Sequence, residues 1–377
     1  MLLVAEPNLG EDEKAALCEV IESGWITMGE RVRGFEKAFA AAHGTADAVA
    51  VNSCTAALHL ILEALGVGPG DEVLVPSMSF VATANSVLYT GAAPVFVDIE
   101  SMEQPVISLA DAAAKCTPKT KAVIVMHYAG YLVDKAAWRH FADSRGLLLV
   151  EDAAHAAGAE DVGTIGHATA YSFYGNKNMT TAEGGMVTAE DPAVLEKIRQ
   201  MRGHGLTIGT FQRLTNRSVN YDVTMLGYNY RMDELRAALG LTQLKNLAAW
   251  NQKRKVLTAI YVDLLGQRCP TIDIPFAQTQ TAHRQKTANH IMPVVLPSNV
   301  QRQNVINVLR DAGIQTTMHY PPSHLMTMYQ ERDPTVRLPV TEEYSDRELT
   351  LPLHPKMEAA HVEQVVAALE MALKQTV

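Results

Sequence analysis

The sequence predicts an α/β protein, with a mostly parallel sheet covered by helices on both faces and a smaller α+β domain after it. Three observations carry that reading. Short apolar runs alternate with amphipathic segments through the first half of the chain, the pattern of a parallel sheet buried on both sides. Each run ends in polar or small residues, and in such sheets ligands bind beyond the carboxyl ends of the strands. Past residue 230 the alternation gives way to a long helical stretch.

Taken in order, the buried strands are read at "AVAVNS" (48–53), "EVLVPS" (72–77), "APVFVD" (93–98), "AVIVMH" (122–127) and "LLLVED" (147–152). Amphipathic segments at 55–66, 79–90 and 134–145 lie between them as helices. Residues 231–265 read as one long helix with a bend near Gly240. After it come "HIMPVVLP" (290–297), a helix at 300–312 and a C-terminal helix from about Ala360. A domain change is placed near 246–250, dividing the chain into a large domain (1–248) and a small C-terminal domain (249–377). No internal repeat or low-complexity segment interrupts this plan.

Composition bounds the function. With 377 residues, 47% of them hydrophobic, the chain can bury a large core. Lys plus Arg total 32 against 41 Asp plus Glu, a net charge of −9 with no basic run, which argues against nucleic acid as the main partner. An anionic small molecule stays open, because backbone amides hold phosphate whatever the net charge. Cys18, Cys54, Cys116 and Cys269 lie far apart without a C-x-x-C pair, so neither a disulfide framework nor a zinc site is expected. Glu6 breaks the short apolar run at the start, against a signal peptide, and no apolar stretch approaches the roughly 18–20 residues that cross a membrane. The expectation is a soluble, cytoplasmic protein with no metal.

Function is concentrated around "YSFYGNKNMTTAEGGMV" (171–187). Lys177 is the only Asp, Glu, Lys or Arg between Val162 and Ala182, among small and aromatic neighbours. A buried lysine without a partner loses its proton readily, and a neutral amine is a nucleophile. Gly184-Gly185 would let backbone pass close to something flat. Asp152 ends a buried strand, where it is either a partner for a protonated ring nitrogen or a helix N-cap. His155 follows three residues later and, alone, reads as a packed histidine. In "VNSCTAALHLILEALG" (51–66), Ser53, Cys54 and Thr55 open a helix, which makes either an anion site or an ordinary cap. Phe80, in "VPSMSFVATANSVLY" (75–89), either covers a planar ligand or belongs to the core. Together these parts fit pyridoxal 5′-phosphate (PLP): a helix N-terminus for the phosphate, an aromatic over the ring, an aspartate at the ring nitrogen and a lysine at the aldehyde.

The same segments, with "SGWITMGERVRGFEKAFA" (23–40), "GYNYRMDELRAALGLTQL" (227–244) and "MHYPPSHL" (318–325), resemble those of the DegT-type nucleotide-sugar aminotransferases, PLP-dependent enzymes of fold type I. The resemblance runs along nearly the whole chain. It implies Lys177 as the PLP lysine, Asp152 at the pyridine nitrogen, His155 near the 3′-hydroxyl, and Phe80 stacked on the ring. It implies phosphate contacts from Ser53, Cys54, Thr55 and Ser172, and from Asn229 of a partner subunit, hence a homodimer with shared active sites. Thr27, Gly29, His319 and Tyr320 fall in segments that line the sugar side.

Two departures are visible. Cys54 replaces a small residue, leaving its backbone amide as the functional group. The connection at 160–170 is short, and Lys177 itself argues against the dehydrating branch that carries His instead.

The activity implied is transamination of a keto-sugar, nucleotide-linked, with L-glutamate or L-glutamine as amino donor. Arg231 is the candidate for the donor carboxylate, or else a surface residue at a helix start. His127 and His204 are ambiguous. Competing readings are a keto-cyclitol aminotransferase, another PLP fold type I reaction such as aldol cleavage or sulfur transfer, and a non-catalytic sensor on the same fold. Pocket shape, and with it the sugar, is expected to depend on loops at 160–170, 205–222 and 315–330.

Overall fold

The computed structural model describes residues 1–208, 220–277 and 286–376; positions 209–219 of the 205–222 loop lie outside the described residues. Two helices, α1 (Glu11–Ser23) and α2 (Glu30–Ala42), open the chain. Strands and helices then alternate as β1 (Val49–Val51), α3 (Cys54–Ala64), β2 (Glu72–Pro76), α4 (Ala82–Tyr89), β3 (Ala93–Val97) and α5 (Leu109–Lys115). The alternation continues through β4 (Thr120–Met126), α6 (Lys135–Arg145) and β5 (Leu148–Asp152). Next come β6 (Ala168–Ser172), β7 (Gly185–Ala189), α7 (Pro192–Met201) and α8 (Glu234–Arg268). The rest is β8 (Met292–Val295), α9 (Arg302–Asp311), α10 (Thr327–Arg332), α11 (Pro339–Arg347), β9 (Glu348–Leu351) and α12 (Ala359–Thr376).

All five predicted strands are present. The sheet also contains β6 and β7, which periodicity did not single out because "ATAYS" and "GMVTA" are small and mixed in character. The seven strands lie in the order β1-β7-β6-β5-β4-β2-β3; β7 runs antiparallel to both neighbours and the other pairings are parallel. Side chains alternate across the sheet. Val73 and Val75 of β2 face one core with α3, α4 and α7, while Leu74 faces another with Trp138 and Phe141 of α6. The chain reverses its order of travel between β2 and β4, so a crevice opens beyond the carboxyl ends of β2, β4 and β5.

The helix α8 runs unbroken for 35 residues, roughly 50 Å at 1.5 Å per residue. The helix is continuous through Gly240. A Cβ there would sit 2.6 Å from the Phe35 ring, so the glycine admits close contact between α2 and α8. Beyond it, Leu257, Tyr261 and Leu265 of α8 enter a separate core with β8, β9, α9 and α12. The helix therefore passes through 246–250 without a linker and serves both cores.

Candidate active site

Lys177 lies on the connection between β6 and β7, above the carboxyl end of β5. Gly184 and Gly185 are needed here, but for a different reason from the one expected. A Cβ on Gly185 would meet the Ser53 carbonyl at 2.6 Å, and one on Gly184 would meet Thr181 Oγ1 at 2.2 Å. The close neighbour is the protein's own backbone at the start of α3, which brings Lys177 to the phosphate-type N-terminus.

The Lys177 amine has no hydrogen-bond or ion-pair partner among the described residues. Burial pulls its pKa down from 10.5 to about 8, against the upward pull of Cys54 and Asp152. Asp152 is buried at the end of β5. Its Oδ2 accepts from Thr83 Oγ1 at 2.7 Å and its Oδ1 from the Ala154 amide at 3.1 Å. Burial still holds the carboxyl above its ordinary pKa, despite these bonds and the nearby Lys177. A cationic ring N–H would relieve that desolvation. Asp152 is thus no helix N-cap: the residue after it opens a turn, and its side chain receives a hydroxyl from α4.

His155 is buried with Nε2 2.7 Å from the Tyr320 hydroxyl, while Nδ1 has no partner among the described residues. Burial, then Lys177, His290 and His319, push its pKa well below the usual value, so the ring is neutral. His319 and Tyr320 arrive from the segment before α10. His319 Nδ1 is 2.9 Å from Thr350 Oγ1, and burial lowers its pKa to about 3. Phe80 is 60% exposed with its ring centroid 6.2 Å from that of Tyr320, so it is a lid over the crevice and no part of the core.

At the start of α3, Ser53 Oγ caps the Ala56 amide at 3.1 Å, and the amides of Cys54 and Thr55 have no acceptor among the described residues. Cys54 is near enough to Asp152 for that carboxylate to raise its thiol pKa, which burial already holds far above 9.0. The thiol is accordingly inert and the amide is the useful group. Ser172 ends β6 opposite Gly185, beside the same helix start. These open amides, the free amine, the unpartnered His155 nitrogen and the exposed ring fit PLP.

The remaining candidates divide. The segment 228–231 runs beside β1: Arg231 bridges Val51, and the Asn229 carbonyl accepts from Asn52 Nδ2 at 3.4 Å. Arg231 makes no ion pair among the described residues, and burial followed by Arg202 lowers its pKa, so it is an unneutralised cation on the segment beside β1. The Gly29 amide is bound to Glu234 Oε1 at 2.8 Å, as part of a clamp on the first turn of α2; Thr27 is exposed on the same segment. The structure joins neither of them to Lys177.

His127 is tied to Glu151 at 2.8 Å beneath the sheet end, and His204 sits in a positive-φ turn. Sequence reasoning passed over Thr83, Asn178 and His290. Asn178 receives His290 Nδ1–H at 2.7 Å and donates to Asn251 Oδ1 at 2.7 Å, anchoring the residue next to Lys177. Only adjacency to Lys177 could have flagged Asn178, and nothing flagged His290. No cluster of three metal-ligating side chains occurs among the described residues, and no helix is long and apolar enough to cross a membrane.

The chain matches the DegT/DnrJ/EryC1/StrS aminotransferase family over residues 7–370. It belongs to that family. SpsC, a spore coat polysaccharide biosynthesis protein of Bacillus subtilis (strain 168), is 38% identical over 379 residues, 98% of this chain and 96% of its own. TlmJ, an aminotransferase from Streptoalloteichus hindustanus, superposes with a TM-score of 0.91 at 33% identity, covering 100% of this chain and 99% of that one. Spr1654 from Streptococcus pneumoniae, solved in a PLP form, gives 0.91 at 28% identity and 99% coverage of each. The architecture is that of PLP fold type I aminotransferases, a mostly parallel mixed sheet flanked by helices.

Proposed function

We propose that the protein is a PLP-dependent aminotransferase that converts a nucleotide-linked keto-sugar to an amino-sugar, with L-glutamate or L-glutamine as donor. The observation that carries this is the unpartnered Lys177 amine, held near pH 8 beside the buried Asp152. The polysaccharide-biosynthesis role in the name of SpsC supports a sugar as acceptor.

PLP supplies an aldehyde that condenses with amines and a ring that accepts electrons from the carbon next to that nitrogen. Asp152 keeps the ring nitrogen protonated, with Thr83 and Ala154 fixing its carboxylate. The α3 amides with Ser53, Cys54, Thr55 and Ser172 hold the phosphate, and Phe80 covers one face of the ring. His155, neutral and aimed by Tyr320, offers a hydrogen bond at the ring edge. With the cofactor bound, Lys177 Nζ would be the base that removes the proton from the donor's α-carbon and the acid that returns it two bonds away, across the donor's nitrogen. Arg231 holds the donor carboxylate, while His319, Tyr320 and the segment with Thr27 and Gly29 line the sugar side.

The assembly we propose is a homodimer in which the partner's Asn229 completes each phosphate site, acting in the cytoplasm. Each chain divides at about residue 248 into the large PLP-binding domain and the small C-terminal one. The deciding experiment is an absorbance spectrum of purified protein before and after L-glutamate. A yellow protein that bleaches supports the first half-reaction, and the bleached enzyme is then screened against keto-sugars. A colourless protein that cannot be loaded with PLP rejects the reading.

A further inference from the structure

Behind His319 lies a buried carboxylate that the reaction above does not use. Glu348, the first residue of β9, is sealed from solvent. Its Oε2 accepts from the His319 backbone amide at 2.9 Å, and its Oε1 lies 2.5 Å from Thr350 Oγ1. Thr350 Oγ1 in turn lies 2.9 Å from His319 Nδ1. The Tyr128 hydroxyl donates to the His319 carbonyl at 2.7 Å, so the histidine is held from both sides. Among the described residues His319 Nε2 has no hydrogen-bond partner, and it is not sealed from solvent, unlike the orphaned nitrogens of His155 and His290. Lys177 acts electrostatically on this ring, which places it beside the reacting amine.

A threonine hydroxyl has a single proton, and that fact couples the three groups. With Glu348 ionised, Thr350 must donate to it and can only accept from His319 Nδ1–H; a neutral ring then offers a lone pair at Nε2. With Glu348 protonated, the carboxyl donates to Thr350, Thr350 donates to Nδ1, and the ring proton moves to Nε2. We propose that Glu348 and Thr350 are positioning residues that set what His319 Nε2 offers the bound molecule: an N–H when Glu348 is protonated, a lone pair when it is ionised. This rests on the reading of His319 as a residue of the sugar side, and the N–H form suits an oxygen acceptor there, such as a carbonyl.

The surroundings place the change within a working pH range. Burial raises the Glu348 pKa from 4.5 to about 8, and the Thr350 and His319 bonds, with Arg302, moderate the rise. Arg302 of α9 donates to the Glu348 carbonyl at 3.1 Å and to the Ser345 carbonyl. The Glu348 carboxylate in turn raises the hydroxyl pKa of Tyr344 of α11, Tyr128 and Tyr320, and the residue across the strand pair is the apolar Val295. Around His319 the facing groups are Lys177, His155 and His290. His319 itself, with its pKa near 3, stays neutral throughout, so its tautomer is what changes.

The test is nitrogen-15 NMR of histidine-labelled holoenzyme from about pH 6.5 to about pH 9.5, the His319 signal being identified by its loss in H319Q. In the wild type the signal should change from Nε2–H to Nδ1–H across the range. Glu348→Gln imitates the protonated acid, because its amide N–H donates to Thr350, and should hold His319 in the Nε2–H form at every pH. Thr350→Val cuts the link while leaving Glu348 in place, and should make the tautomer independent of pH. In parallel, the keto-sugar KM of the wild type relative to E348Q should rise about threefold to tenfold between the ends of that range. The ratio is the readout, since Lys177 titrates in the same region. A wild-type tautomer constant with pH, or one that titrates alike in T350V, overturns the proposal and leaves transamination itself untouched.

Discussion

Glu151 and Asp152 are consecutive residues of one strand, both buried, yet their carboxyls are shifted in opposite directions. Adjacent strand residues point to opposite faces of a sheet, so the two meet different company. Glu151 accepts from His127 Nε2, from the amides of Gly163, Ile165 and Gly166, and from Thr169 Oγ1. Burial alone would raise its pKa, and these donors more than offset it. Asp152 has two donors, and burial wins. Burial alone does not mark a reactive carboxylate. The hydrogen-bonding capacity left unfilled does, and the same rule separates the open Lys177 and His155 from the closed His127.

The comparison breaks most sharply at Lys177. Lys177→Ala should have no measurable turnover and an unchanged circular dichroism spectrum; near-wild-type activity in that variant would sink the assignment. Exchanging each member of the carboxylate pair tests the contrast itself. Asp152→Ala should lose most activity while melting near the wild-type temperature. Glu151→Ala strands His127 and four further donors, and should lose about 3–5 kcal/mol of stability in a denaturant titration. A collapsed Asp152→Ala spectrum beside a tolerated Glu151→Ala would reverse the two roles.

pH sharpens the same contrast. The folded Glu151 carboxyl lies below its ordinary 4.5, so its contribution is present above that value and is lost as pH falls through the folded one; in Glu151→Gln the acid limb of the melting-temperature profile should flatten. At the open site the sign concerns reactivity. In PLP-free protein, Lys177 should react with an amine-specific reagent with a midpoint near its lowered pKa of about 8, as peptide mapping can read. A midpoint near 10.5 would mean a solvated amine. The smallest effect is expected from Phe80→Ala, where loss of an aromatic face worth about 0.5–1.5 kcal/mol should weaken PLP retention about twofold to tenfold.

Much of this was legible beforehand where the signal is local. The five apolar runs became strands because a sheet covered by helices on both faces needs apolar residues on successive positions, and Lys177 stood out because nothing charged surrounds it in sequence. The strands β6 and β7 escaped because their small residues lack periodicity, although they carry the lysine loop. Gly240 and Gly184-Gly185 have reasons that local sequence does not show: Phe35, Thr181 and Ser53, neighbours that exist only after folding. The Gly29 amide is bound to Glu234, a residue 205 positions away, a contact that no local motif shows.

The residue types and their order determined the fold class, the family and the cast of chemical groups, because helix and strand periods and short motifs are properties of neighbouring residues. Tertiary structure alone decided which of those groups remain unsatisfied. Asp152 meets Thr83 across 69 positions, and Glu348 meets His319 across 29. Whether a buried polar atom has a partner depends on such long-range encounters, and the shifts of Lys177, Asp152 and Glu348 follow from that.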